Sequence, residues 1–377
     1  MIQHLSKNHD VTVISIVRSK EEALEGAGIK DYCAKYIMVN FNNAISWLRT
    51  ILNLLTFKPS SFGYFYSRTM KRAVKREVVS DKYDLIFVHC SSVASYVEDV
   101  EGIPKIMDFG DMDSQKWMDY SKFKPFPFSL GYKLEGMKLE AEEKRLARRF
   151  TYSSCTTRAE LETLNSYGAT HNTFWFPNGV DYNFFHPATT KYIKNSICFI
   201  GRMDYYPNQE CMIDFCKNVF PKIKENVRDA KLTIVGANPS NQILALSELP
   251  GVEVTGSVDD VRSYVLSSAV NVAPLNIARG TQNKILESMS MGVPVISSRL
   301  AAMGIDAIPG EHLLVADTPD DYVTTILHLF NHPDERDRLS RDGRARMLSH
   351  HDWKNSMEKL DVLIEKCISV YNRENKK

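Results

Sequence analysis

The residues with the clearest chemical potential lie in Ala278–Ser297, ARGTQNKILESMSMGVPVIS. Arg279-Gly280-Thr281 reads as a loop, with Thr281 as the N-cap of a helix running to Met291. Lys284 falls in the first turn, and Glu287 lies three residues on, one turn along the same side. A helix start offers free amides and the positive end of its dipole, so a lysine there makes a natural diphosphate site. A carboxylate one turn further can accept two sugar hydroxyls. The same spacing also suits an ordinary i,i+3 surface pair, and spacing alone leaves both open.

Two other segments carry chemistry. Met107–Trp117, MDFGDMDSQKW, follows a strand and holds Asp108, Asp111 and Asp113. Asp-x-Asp suits a metal ion, but the same residues suit an Asx turn with Asp113 or Ser114 capping a helix. His89, at the end of another strand, either faces the same edge or fills a polar turn. In Trp47–Glu77 an apolar stripe (Trp47, Leu48, Ile51, Leu52, Leu54, Leu55) precedes an aromatic cluster around Phe62–Tyr66. Arg68, Lys71, Arg72, Lys75 and Arg76 follow, and the i,i+4 pairs among them share one helical face. Cations beside aromatics fit an anionic lipid surface, and they equally fit a core-facing helix with a solvated basic side.

Short apolar runs that alternate with helical patterns must position these residues. Strands are expected at Asp10–Val17, Tyr83–Val88, Pro104–Met107, Asn172–Phe176 and Ser196–Ile200. Further strands are expected at Lys231–Val235, Val252–Val254, Asn271–Ala273, Val293–Ser297 and Leu313–Val315. Helices are expected at Leu134–Arg149, Thr157–Tyr167, Asn208–Lys222, Thr281–Met291 and Asp320–Asn331. Such alternation means parallel sheets with right-handed crossovers. Pro177-Asn178-Gly179 is a turn, Pro187 breaks structure, and a fresh strand–helix series starts at Ser196. The expectation is therefore two doubly wound α/β domains, 1–185 and 186–350, facing across a ligand cleft. Met1–Asn8 resembles the end of a helix, so the N-terminal domain is expected to lack its first strand and loop.

Composition narrows the classes. The chain has 377 residues, 44% hydrophobic and 25% charged, which excludes disorder and disulfide-stapled miniproteins. Lys+Arg number 47 against 46 Asp+Glu, so bulk charge gives no argument for nucleic acid. Seven cysteines without a CxxC pair read as reduced, cytoplasmic thiols. No run is long and apolar enough for a transmembrane helix, and MIQHLSKNHD has no signal-peptide core. A dehydrogenase is disfavoured, because no GxGxxG follows a first strand.

Taken in order, several segments resemble the retaining GT-B glycosyltransferases of family 4, over nearly the whole chain. Ala278–Ser297 resembles their donor-binding motif, and Phe174–Asp181 with Phe185-His186-Pro187 their interdomain "P-N-G-V-D … F-x-P". Phe199–Met203 resembles the "G-R" loop, Leu232–Gly236 the "l-x-i-v-G" strand, Val252–Val258 "v-x-x-x-G-x-V", and Asp84–His89 "D-v-i-x-x-H". Asp204–Asn208 together with Asn283-Lys284-x-x-Glu287 looks most like a subgroup tied to bacterial exopolysaccharide synthesis.

The resemblance implies a nucleotide-diphosphate sugar donor. Arg202 and Lys284 would hold the diphosphate, with Gly201, Gly280, Thr281 and Arg279 beside them. Glu287 would hold the ribose, and Gly256–Val258 the base. Asp111, with His89 and Asp108, would stand on the acceptor side. Asp111, Arg202 and Lys284 are the expected catalytic set. The chain departs from the pattern twice. Arg279 stands where the family usually has Glu, and Pro207-Asn208 stand near the place of a second diphosphate lysine. No cofactor or metal is implied, since GT-B enzymes generally need none. The implied acceptor is a lipid-linked glycan or polysaccharide, and the implied location is cytoplasmic, at the inner membrane face, with Arg68, Lys71, Arg72, Lys75 and Arg76 toward anionic lipid. A GT-B sugar-nucleotide epimerase and a truncated, non-catalytic donor-binding remnant are the alternatives. The last helix, about 351–377, should pack back on the N-terminal domain.

Overall fold

The computed structural model describes residues 1–40, 43–80, 82–168, 172–188 and 192–375. The chain divides into two compact units, Met1–Phe176 with Met357–Lys377, and Pro177–Ser356.

In the first unit, β1 (Thr12–Val17) and β2 (Lys35–Asn40) form a parallel pair. A separate parallel sheet carries β3 (Ile86–His89), β4 (Lys105–Asp108), β5 (Tyr152–Cys155) and β6 (Thr173–Trp175) side by side in chain order. Among the described residues no ladder joins β1 to β3. β2 and β5 were not expected. β2 begins with a polar residue and is largely half-exposed. β5, Tyr-Ser-Ser-Cys, is fully buried yet half serine, so an apolar pattern cannot reveal it.

The unit's helices include α1 (Asn43–Leu54), α2 (Ser60–Phe65), α3 (Arg68–Ser80), α4 (Asp113–Lys122) and α5 (Phe128–Arg149). Met70 and Val74 of α3 pack in one cluster with Val88, Met107 and Leu146. Neither Asp113 nor Ser114 caps α4, whose N-cap is Met112. Carboxylates from elsewhere take that role. Glu143 of α5 accepts from the Ser114 amide at 2.9 Å, and Glu160 accepts from the Met112 amide at 3.2 Å.

The second unit holds β7 (Ile193–Ile200), β8 (Lys231–Val235), β9 (Val252–Gly256), β10 (Ser268–Ala273), β11 (Val295–Ser297) and β12 (Leu314–Val315). They form one parallel sheet in the order β12-β11-β10-β7-β8-β9. The chain builds outward from β7 through β8 and β9, then returns to β10 on the other side. The switch point therefore lies between β7 and β10, where doubly wound sheets open a crevice at the strands' carboxyl ends. Ile197, Phe199, Leu232, Ile234, Val270 and Val272 fill the core at full burial.

The expected helix Asn208–Lys222 is divided into α6 (Tyr206–Asn218) and a short helix Phe220–Asn226, because Pro221 at the start of the second cannot continue the first. α7 spans Asn283–Ser290. α8 spans Trp353–Glu374, and from Met357 it belongs to the first unit, burying Leu360, Leu363 and Ile364 with Ile106, Tyr152 and Phe176. Lys376 and Lys377, at the end of the expected 351–377 segment, lie outside the described residues.

The contacts divide at Phe176/Pro177, earlier than the expected 185. The Val180 amide donates to the His351 carbonyl at 2.8 Å, and Phe185 packs against the second unit's core. The 177–185 segment is thus tied to the second unit, as are residues 351–356.

Candidate functional site

The loops after β7 and β10 meet at the switch point. Gly201 ends the first loop's approach, and a Cβ on it would stand 2.7 Å from Asn208 Nδ2 and 3.0 Å from Lys284 Nζ. A side chain there would displace the lysine. The neighbouring loop after β8 is equally close, since a Cβ on Gly236 would lie 1.8 Å from the Gly201 carbonyl oxygen. Lys284, in the first turn of α7, donates to Asn208 Oδ1 at 2.6 Å. Asn208 Nδ2 in turn donates to the Arg202 carbonyl at 2.8 Å. The ammonium also lies 4.2 Å from the centroid of the Phe199 ring, a cation–π arrangement.

This ammonium is held by neutral groups, and burial pushes its pKa down to about 8. Glu287 is the charged neighbour, one turn along α7. Burial pushes its carboxyl above the usual range, while Lys284 draws it down. Both residues are half-buried.

The start of α7 differs in detail from the sequence expectation. The N-cap is Gln282, not Thr281, and no side chain caps the helix. Gln282 Nε2 instead donates to the Arg279 carbonyl at 2.9 Å. Thr281 Oγ1 is buried without a hydrogen-bond partner. Gly280 takes φ +62°, a turn conformation that glycine adopts without strain. Its carbonyl sits so close to Gly304 that a Cβ there would lie 2.1 Å away. An uncapped helix start, a buried hydroxyl and a lysine together offer donors and positive charge of the kind that suits an anion.

Arg202 is exposed at the same edge. Its guanidinium is bound by Asp204, Nε to Oδ1 at 3.1 Å and a terminal nitrogen to Oδ2 at 2.6 Å. It is the backbone carbonyl of Arg202 that enters the Lys284 network. Arg279 is half-buried in the loop before α7. Gly256 ends β9 with φ +71°, and Val258 packs half-buried against the cluster of Cys198, Ile200 and Val235. Asn208 was not chosen from the sequence as a site residue. Its signal was its position near the place where the resembled family carries a second lysine.

The first unit gathers its polar residues at the carboxyl ends of β3, β4 and β5. His89 Nδ1 lies 2.7 Å from Asp108 Oδ2, and Ser154 donates to Asp108 Oδ1 at 2.9 Å. The hydrogen bond to Asp108 holds the His89 imidazole well above its ordinary pKa. Asp111 accepts from Thr156 Oγ1 at 3.1 Å, and burial pushes its carboxyl up. The three aspartates are therefore dispersed in role: Asp108 on His89, Asp111 on Thr156, and Asp113 at the start of α4 with Lys116 at 3.7 Å. Among the described residues no group of three or more His, Cys, Asp or Glu could hold a metal ion.

On α3, Arg68, Arg72, Lys75 and Arg76 are exposed. Lys71 is half-buried. It donates to the Ser95 carbonyl at 2.5 Å and lies 3.7 Å from Asp99. Of the five cations, four thus form the open face.

Comparison with known proteins places this geometry in a class. The chain superposes on Anabaena Alr3699/HepE in complex with UDP and glucose, with a TM-score of 0.67 at 13% identity, over 97% of this chain and 94% of that one. A glycosyltransferase from Rickettsia africae ESF-5 gives 0.65 at 11% identity, over 97% and 93%. Sucrose-phosphate synthase from Thermosynechococcus elongatus gives 0.64 at 15%, over 79% and 77%. The fold is GT-B, two doubly wound Rossmann-like units. Residues 194–332, which include β7 to β12 and α7, match the family Glycosyl transferases group 1. No curated protein sequence matches the chain significantly.

Proposed function

We propose that this protein is a glycosyltransferase that moves a sugar from a nucleoside-diphosphate sugar to a lipid-linked or polysaccharide acceptor, with retention at the anomeric carbon. The observation that carries this reading is the Lys284 ammonium, held at the uncapped start of α7 by Asn208 and the bare face of Gly201. An anion that docks there gains a fixed cation, free amides and the Thr281 hydroxyl at once. As the glycosidic bond breaks, negative charge grows on the departing diphosphate, and a preorganised cation stabilises it more than it stabilises the bound donor. Glu287 accepts the ribose hydroxyls. Anabaena Alr3699/HepE is described with UDP and with UDP-glucose, which supports uridine as the base here.

Asp111, His89 and Asp108 lie on the acceptor side in this proposal, and no metal takes part, so activity survives chelation by EDTA. Bacterial exopolysaccharide or cell-surface glycan synthesis at the inner face of the membrane is the matching process, with the open cations of α3 toward anionic lipid. Among the described residues no helix is long and apolar enough to cross a membrane, which fits a peripheral attachment.

Calorimetric titration with UDP tests the donor site. The parent should bind, and Lys284→Ala and Glu287→Ala should each weaken binding. Full affinity in both variants overturns the assignment of this motif to the donor.

A further inference from the structure

α1 is inside out. Around its axis Trp47, Leu48, Ile51, Leu52 and Leu55 occupy one half of the circumference, and all are exposed. The opposite half, which faces the protein, is polar: Ser46, Arg49, Thr50 and Asn53. A helix that packs onto a soluble core turns its apolar stripe inward. Here the inward face is secured by polar contacts instead. Arg49 donates to the Tyr66 carbonyl and lies 5.1 Å from that ring's centroid. Asn53 Nδ2 donates to the Pro59 carbonyl at 3.0 Å. The last carbonyls of α1, Asn53 and Leu54, accept from Lys138 Nζ of α5 at 3.0 and 3.2 Å. Glu135, buried on α5, accepts from the amides of Ser60 and Ser61 at 2.9 and 3.0 Å and fixes the start of α2. The helix is therefore locked in place with its apolar side outward.

α5 extends that side. Leu134 lies one turn before Lys138 on the same flank, and Leu130 and Met137 complete an exposed stripe. Phe57 (98% exposed) and Phe126 (81% exposed) stand in the loops that lead from α1 and into α5. Apolar exposure on this scale exceeds the scattered single residues of an ordinary surface.

We propose that this face of α1 and the start of α5 docks into the interfacial layer of an anionic lipid bilayer, with α1 in the membrane plane. Charge selects the occupant. Residues 43–58 and 122–134 contain no Asp or Glu, and Lys58 and Lys133 stand exposed around the apolar patch, while Lys122 at its border is paired with Asp119 at 2.8 Å. A symmetric contact with a second copy would set this cationic rim against itself. A bilayer surface receives it: lysine stems extend along apolar groups to reach phosphates, and Trp47, edge-on to Tyr64 at 5.6 Å, is of the type that settles at headgroup level. The twelve residues of α1 span about 18 Å of membrane plane. This surface differs from the cationic face of α3, and its apolar part predicts binding that salt does not abolish.

The test is co-sedimentation of the full chain with phosphatidylcholine vesicles and with phosphatidylcholine–phosphatidylglycerol vesicles, at low and high salt. The parent should bind the mixed vesicles more tightly and retain part of that binding at high salt. The Leu48→Gln/Ile51→Gln/Leu52→Gln variant should lose binding by about tenfold or more, with an unchanged melting temperature and unchanged UDP affinity. Changing Arg68, Arg72, Lys75 and Arg76 to Gln should remove only the salt-sensitive part. Should the triple variant misfold, Trp47 in the parent decides. Its fluorescence, taken as the difference from Trp47→Phe, should be quenched by brominated lipid in the vesicles. No vesicle binding by the parent, unaltered binding by the folded triple variant, unquenched Trp47, or a dimer dispersed by the same substitutions would each overturn the proposal. A loss of UDP binding in the parent would count against the donor site and leave this surface untouched.

Discussion

The two units place polar residues at the same topological location, the carboxyl ends of parallel strands, but handle charge in opposite ways. In the first unit charge is met by charge or by a hydroxyl: Asp108 by His89 and Ser154, Asp111 by Thr156. In the second unit Lys284 is contacted by an amide oxygen and an aromatic face, with Cys211 and Glu287 drawing its pKa back up against burial. Burial lowers the lysine pKa because the charged form loses solvation that its neutral neighbours do not fully replace. The second edge pairs Arg202 with Asp204 but leaves Lys284 without a directly bonded carboxylate, and the proposed donor diphosphate would supply that charge, whereas His89 and Asp108 at the first edge are already paired. Packing differs in the same sense. β10 and β11 are buried throughout, whereas β1 is half-exposed along most of its length.

The largest effect should come from removing the poised cation. Lys284→Ala should cost about 3–4 kcal/mol of transition-state stabilisation, a fall of roughly 10²–10³ in turnover. Steady-state transfer kinetics check it, and an equal loss in Asp108→Asn would erase the contrast between the edges. Donor affinity of the parent should also fall as pH rises through about 8, where the free ammonium loses its proton.

Next is packing. Ile234, fully buried on β8, and Ile16, half-buried on β1, are the same residue type in the same kind of strand. Ile234→Ala should destabilise by about 3 kcal/mol, and Ile16→Ala by about 1 kcal/mol, because the second site already borders solvent. Chemical denaturation measures both. Equal costs would mean that β1 is as well covered as the second unit's core.

The first unit also buries a carboxyl that amide and hydroxyl donors hold without a cationic partner. Glu143 is enclosed with Ser114 and Tyr167, and burial pushes its pKa up to about 7. A carboxyl whose folded pKa exceeds its unfolded value stabilises the fold at low pH. That contribution declines as pH rises from the unfolded value, 4.5, to about 7, and is flat above. Its size is on the order of 3 kcal/mol. Glu143→Gln should remove this slope from a stability-versus-pH profile; a parent profile already flat between those values would refute the assignment.

Legibility from sequence followed the same division. Several of the second unit's strands carry apolar runs, so their existence was readable, while their order in the sheet, and with it the switch point that brings Gly201 to Lys284, emerged only from the structure. The serine-rich β5 and the half-exposed β2 lacked that pattern. The role of Asn208 was hidden because a neutral amide in a helix has no chemical signature until a lysine 76 positions away in the chain points at it. The capping of α4 by Glu143 and Glu160 was invisible for the same reason: local sequence offers Asp113 and Ser114, and only tertiary structure supplies the distant carboxylates. Conversely, the apolar stripe of Trp47–Leu55 was plain in the sequence, but periodicity does not say whether a stripe faces in or out.

The smallest expected effect separates a ligand site from a packing defect. Thr281 Oγ1 is buried and unpartnered at the start of α7. If the hydroxyl merely fills space, Thr281→Val removes an unmet polar group and preserves shape, so stability should rise by up to about 1 kcal/mol and nothing else should change. If it waits for a phosphate oxygen, the same substitution should leave the free protein equally or more stable yet weaken UDP binding by about 1 kcal/mol, roughly fivefold, because the bound anion loses one donor. The two measurements move in opposite directions only when the orphan has a partner in the complex. A stabilised variant with full UDP affinity would remove Thr281 from the site and leave Lys284 and the helix amides to hold the anion without it.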